Sequence, residues 1–176
     1  MFKKVTEDAI LPTRGSKYAA CVDVYANEDV VIEAGETQVV GLGIAIDLEI
    51  LDGRLFIADM YMNAKNHREM ENIFEEFLKS HYLQLMLRSS LGKKGLILPN
   101  GVGVIDLDYR DEIKMVIHNP VDIVTVYSLQ ENSNPSFIEI KKGDKIGQIT
   151  LLEHKSYLFG IDTDEERVGG FGSTGA

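Results

Sequence analysis

Between Val30 and Leu152 the chain keeps switching between short runs rich in β-branched and aromatic residues and clusters of Gly, Asn, Asp and Pro. That pattern leaves room for many strands joined by tight turns and for little else. The longest run, residues 37–50, carries Val39, Val40, Leu42, Ile44, Ile46 and Leu48 in the alternation of a half-buried strand, punctuated by Gly35, Gly41, Gly43 and Asp52-Gly53. Residues 30–32, 82–87, 95–98, 112–117, 123–129, 137–140 and 145–152 are further strand candidates. Such a chain is all-β and folds as a sandwich, jelly roll or barrel.

One stretch breaks the pattern. Met70, Ile73, Phe74, Phe77 and Leu78 recur at helical spacing, with Arg68, Glu69, Glu71, Glu75, Glu76 and Lys79 between them. The spacing predicts an amphipathic helix over 66–80, inside an insertion of about 54–81 that lies on the barrel rather than forming a second domain. Its apolar stripe either packs on the chain's own barrel or docks a protein partner. Met60, Met62 and Met70 read as packing for this insertion, and residues 130–136 read as an exposed hairpin tip. The end, from about 164 to 176, holds too few apolar groups to pack alone and is either a loose tail or an arm that orders on a ligand.

Composition narrows the partners. With 28 acidic and 18 basic side chains, the formal charge is -10, which repels a nucleic-acid duplex. A small anionic ligand needs only a local group of donors and stays open. One cysteine, Cys21, makes an intrachain disulfide impossible and favours a reducing compartment, the cytoplasm. Cys21 is expected to be a small buried residue beside a strand. No apolar run approaches the roughly 20 residues of a membrane span. His67, His81, His118 and His154 show no ligand spacing.

Four clusters carry chemistry. Gly169-Gly170-Phe171-Gly172-Ser173-Thr174-Gly175, preceded by Arg167, can turn main-chain amides around an anion, with two hydroxyls and a guanidinium added and Phe171 available to lie on a flat base. The run from Gly101 to Arg110 brings a strand into an Asp-bearing turn, where Asp106 and Asp108 point one way and Ile105 and Leu107 the other. A carboxylate there can hold a water and take its proton. Arg88-Ser89-Ser90-Leu91 offers a guanidinium and hydroxyls to a phosphate. Gly143-Asp144-Lys145-Ile146-Gly147-Gln148 is a turn followed by a strand and says little alone. Each has a plain alternative: a flexible tail, an ordinary hairpin or a solvated turn.

In order along the chain, a segment from Leu11 to Ala26, the Arg88 turn, the Gly103-Val104-Ile105-Asp106-Leu107-Asp108-Tyr109-Arg110 hairpin, the Lys145 strand and the glycine-rich end resemble the five motifs of trimeric deoxyuridine triphosphatases. The third and fifth match almost literally. The first carries Cys21-Val22 where Gly-Tyr or Gly-Phe is usual, and the second carries Ser90 where glycine is usual.

The resemblance implies a jelly-roll-like distorted barrel, a homotrimer with shared active sites, and hydrolysis of dUTP to dUMP and pyrophosphate by water attack at the α-phosphorus. It implies that Asp106 is the general base and also holds the 3′-hydroxyl, that the Tyr109 ring packs beneath deoxyribose, and that uracil meets main-chain groups around Val104, Ile105 and Lys114, with Asn100 assisting. Phosphates would be held by Arg88, Ser89, Ser90, Gln148 and Arg167, and by Gly172, Ser173 and Thr174 beside Phe171. Mg2+ would ride on the triphosphate, with Asp23 supporting it indirectly through water. No nucleic acid or membrane partner is implied, while some virus-encoded members regulate other proteins through added segments. The Arg88 turn also resembles dCTP deaminases, whose chemistry needs a carboxylate on the strand after the hairpin, where this chain has Val116.

Overall fold

The computed structural model describes residues 1–121 and 137–161. Along them run β1 (Phe2–Lys4), β2 (Thr13–Arg14), β3 (Val22–Tyr25), β4 (Val30–Glu33), β5 (Thr37–Gly41), β6 (Ile44–Ile46), α1 (Leu48–Ile57), α2 (His67–Ser80), β7 (His81–Leu87), the one-turn α3 (Ser89–Gly92), β8 (Gly103–Asp106), β9 (Lys114–His118), β10 (Phe137–Ile140), β11 (Lys145–Glu153) and a 3-10 turn, Ser156–Phe159. The strands form one five-stranded sheet in the order β2-β3-β11-β7-β8 and the pairs β1-β6, β4-β10 and β5-β9. Every pairing is antiparallel. Together they enclose one apolar cluster that includes Val24, Ile32, Val40, Ile46, Leu83, Leu85, Met115, Ile117 and Ile146. This is the distorted, jelly-roll-like barrel that the resemblance implies.

The alternation is clear in β7, which lies between β11 and β8. In β7, Leu83 and Leu85 are buried, while Tyr82, Gln84 and Met86 between them are only half-buried. β11 at the centre pairs along its length with β7, from Gly147 opposite Leu87 to Glu153 opposite His81, and on its other side with β3.

Five expectations need correction. Residues 37–50 are not one strand. Gly43 takes a positive φ of 64° between β5 and β6, and a helix starts at Leu48, where the Asp47 carboxylate accepts the Ile50 N–H at 2.9 Å. Asp52-Gly53 therefore lies inside α1 rather than in a turn, and residues 48–80 carry two helices instead of one. Leu51 and Leu55, four apart, are 2% and 6% exposed and anchor α1 in the barrel core.

Residues 95–98 make only a single bridge, Ile97 to His118, because Gly95 has a φ of 93° and Pro99 follows closely. Met60 and Met62 are exposed in the turns after α1, whereas Met70 packs against the core. Cys21 is half-buried, because it stands in the bend that leads into β3 and not on the strand itself.

α2 matches its expected bounds closely. The Asn66 side chain caps it by accepting the Glu69 N–H at 3.0 Å, and Glu69 accepts the Lys65 N–H in return at 2.7 Å. Phe77 is buried, and Met70, Ile73, Phe74 and Leu78 pack against the central cluster, so the chain's own barrel covers the stripe. No helix among the described residues is long and apolar enough to cross a membrane. The expected strand at 123–129 and the hairpin tip at 130–136 lie outside the described residues.

Candidate active site

In the β7–β8 ladder Tyr82 faces Asp106 and Leu85 faces Gly103. The hairpin keeps its alternation into the turn: Ile105, Leu107 and Tyr109 are buried, and Asp106 and Asp108 are exposed. The turn is closed by the Tyr109 N–H donating to the Asp106 carbonyl at 3.1 Å and by the Arg110 guanidinium donating to the Leu107 carbonyl at 2.8 Å.

Beside this turn lies a cleft of about 180 Å³ whose lining includes Asn100, Val104, Ile105, Tyr109, Lys114 and Val116. Five residues predicted to meet the base and sugar are thus in one place. Asp106 follows Ile105 directly on the same strand and is exposed to solvent. The Tyr109 ring is 8% exposed, and its hydroxyl donates to the Glu112 carbonyl at 3.2 Å. A buried phenol satisfied by the chain itself presents the cleft with a ring rather than a free hydroxyl.

A second group forms where β3, β11 and the end of β7 meet. Gln148 stands opposite Asp23 on one side and Met86 on the other. The Asp23 carboxylate, 13% exposed, lies 3.3 Å from Arg88 Nε and 2.9 Å from Lys145 Nζ. That hydrogen bond to Asp23 raises the Lys145 pKa above its ordinary value. The Arg88 N–H donates to the Ile146 carbonyl at 3.0 Å, which carries the chain off the sheet into α3, where Ser89 and Ser90 are exposed. Asp23 and Gln148 therefore stand on adjoining strands, with Arg88 paired to Asp23 and Ser89 and Ser90 following it in α3.

The two groups do not meet within one chain. Asp106 faces Tyr82, and Arg88 comes six residues after Tyr82, just past the end of β7, a separation of roughly 20 Å at the rise of an extended strand. Arg167, Phe171, Gly172, Ser173 and Thr174 lie outside the described residues. Among the described residues no three His, Cys, Asp or Glu side chains are grouped to hold a metal. With both oxygens of Asp23 turned to cations, this donor set fits an ion carried by phosphates and reached through water, not one caged by protein.

Sequence reasoning missed Lys145 and Glu112. Lys145 meets Asp23 only through a pairing that spans 122 residues, which no local pattern reveals. Glu112 had a local signal, its nearness to Tyr109, but its side-chain partner lies 69 residues away.

A family model described as dUTPase matches residues 76–175, more than half of the chain. The chain belongs to the dUTPase family. It is 30% identical to the deoxyuridine 5′-triphosphate nucleotidohydrolase of Nautilia profundicola, over 98% of this chain and 96% of that one. It is 32% identical to the protein of the same name from Debaryomyces hansenii, over 97% and 83%. The fold matches that of the Staphylococcus bacteriophage 80alpha dUTPase with a TM-score of 0.63 at 19% identity, covering 100% of this chain and 98% of that one. A dUTPase of S. aureus phage phi11, reported with a structural Mg(II) ion, superposes with a TM-score of 0.60 at 19% identity, covering 97% of each chain. The dUTPase match includes α2 from Glu76 onward, β7 to β11 and the glycine-rich end.

Proposed function

We infer that this dUTPase hydrolyses dUTP to dUMP and pyrophosphate, with Asp106 as the general base and with the base and sugar seated in the cleft beside Tyr109. The observation that carries the reading is the cleft itself, which gathers Asn100, Val104, Ile105, Tyr109 and Lys114 at the strand that ends in Asp106.

Asp106 takes a proton from a water whose oxygen attacks the α-phosphorus. The bond from that phosphorus to the bridging oxygen breaks, and pyrophosphate leaves. Tyr109 supplies a floor for the sugar. A 2′-hydroxyl is refused for want of room, because the ring is packed from behind and its own hydroxyl is engaged. Main-chain groups of Val104 and Ile105 read the uracil edge. Arg88, Ser89, Ser90 and Gln148 take the phosphates, joined by Arg167, Gly172, Ser173 and Thr174 from the C-terminal arm, whose Phe171 ring lies on the base. Mg2+ on the triphosphate would neutralise charge on the leaving group, and Asp23, held by Arg88 and Lys145, would steady its waters.

Because the phosphate group lies roughly 20 Å along β7 from Asp106, the site is completed by another copy of the chain. A symmetric homotrimer, in which each cleft borrows Arg88 and Gln148 from a neighbour, satisfies that need. Deamination is disfavoured, since the cleft wall carries the alkyl side chain of Val116 where a carboxylate would shuttle protons.

The test is pyrophosphate release from dUTP, dCTP, dTTP and UTP with Mg2+, for wild type and Asp106→Asn. Only dUTP should turn over, and kcat should fall by roughly 10²–10⁴ in the variant with KM little changed. Release of ammonia, or an Asp106→Asn protein as fast as wild type, would end this reading.

A further inference from the structure

The segment between Tyr109 and Lys114 belongs to no strand, yet Tyr109 and Ile113 are 8% and 1% exposed. Something outside the hairpin must hold it. Part of the hold is main-chain: the Ile113 N–H donates to Ile44 at 2.8 Å, and the Leu42 N–H donates to Ile113 at 3.1 Å. The rest is Glu112. Its Oε1 accepts the Gly43 N–H at 2.8 Å and lies so close to Gly41 that a Cβ there would stand 2.6 Å from it. Its Oε2 is 4.0 Å from Lys114 Nζ, and its main-chain carbonyl accepts the Tyr109 hydroxyl at 3.2 Å. Glu112 thus touches two residues of the cleft wall from behind while not lining the cleft itself.

We propose that Glu112 is a positioning residue that sets substrate choice: by fastening the segment to the β5–β6 turn it fixes the depth of the Tyr109 ring and the place of Lys114, and so the exclusion of ribose. This rests on the cleft being the site for base and sugar. Refusal by lack of room is sensitive to small displacements, because a ring that recedes by a fraction of an ångström admits a hydroxyl. A carboxylate that accepts a backbone N–H is a charge-assisted anchor, and removing it leaves that N–H without its partner. A merely structural staple would behave differently, lowering thermal stability and leaving selectivity alone.

The experiment compares wild type, Glu112→Ala, Glu112→Gln and Gly41→Ala, measuring kcat and KM for dUTP and for UTP together with the melting temperature. Glu112→Ala should raise KM for dUTP by about tenfold, change kcat by less than about threefold, and lower the dUTP-to-UTP ratio of kcat/KM by about tenfold. Glu112→Gln, which still accepts the Gly43 N–H, should recover most of that ratio. Gly41→Ala keeps Glu112 but displaces its carboxylate, and should shift the ratio in the same direction even if Glu112→Ala fails to fold. An unaltered ratio in every folded variant, whatever happens to the melting temperature, overturns the proposal. Wild type that turns over no dUTP overturns the assignment of the cleft and this inference with it, whereas a selective wild type with unaltered variants removes only the role of Glu112.

Discussion

Arg88 and Asp106 sit towards opposite ends of one strand pair: Asp106 faces Tyr82 across the ladder, and Arg88 follows Leu87 at the far end of β7. A single nucleotide cannot meet both in the same chain, so the loss of either residue should be repairable by a neighbour that keeps it.

Asp106→Asn and Arg88→Ala should each be nearly inactive alone, yet co-refolded in equal amounts they should regain about a quarter of wild-type activity, the share of sites that draw one intact residue from each variant under random assembly. Mixtures made without subunit exchange should stay inactive. No recovery after co-refolding, despite a trimeric mass in solution, would show that the two groups serve one chain.

Gly147 precedes Gln148 on the central strand, and a Cβ there would come within 2.9 Å of Val24 and 3.1 Å of both Leu85 and Met115. Gly147→Ala should therefore cost about 1–3 kcal/mol by overpacking, measured by urea unfolding. The strand must shift to relieve the contact, so KM for dUTP should also rise. A variant as stable as wild type would mean that the three neighbours yield freely.

Burial raises the Tyr61 pKa to about 12, helped by its hydrogen bond to Asp52 and by that carboxylate's charge. A folded-state value above the unfolded one, near 10, means that this residue's contribution to stability is whole below pH 10 and is lost as pH climbs from about 10 to about 12. In an absorbance titration the Tyr61 phenol should ionise late. Tyr61→Phe should remove that late step, and Asp52→Asn should lower it without returning it fully to 10, since burial remains. A late step that persists in Tyr61→Phe assigns it to another residue.

Legibility in the sequence followed physical range. α2 declares itself because its apolar residues keep to one stripe and Asn66 caps it. α1 does not, because Leu48, Ile50, Leu51, Leu55 and Phe56 surround its axis and imitate a strand's alternation at the start. The cleft could be anticipated from the run around Asp106, which is local. The Asp23–Lys145 bond and the Glu112–Gly43 bond could not, since each is set by strand register across distant parts of the chain. Asn119 makes the same point: fully buried, it donates to the Ile32 carbonyl 87 residues away at 3.2 Å, and nothing near it in sequence announces that partner.

The buried cluster runs without a break from the strands into α1, α2 and the segment between them, since Leu51, Leu55, Tyr61 and Phe77 belong to it alongside Ile44, Ile46 and Leu83. The helical segment is therefore no detachable ornament. Excising it would strip the lining from one flank of the barrel and expose apolar side chains to water. The chain therefore cannot shed these helices in one step, and can vary only what they show on the outside.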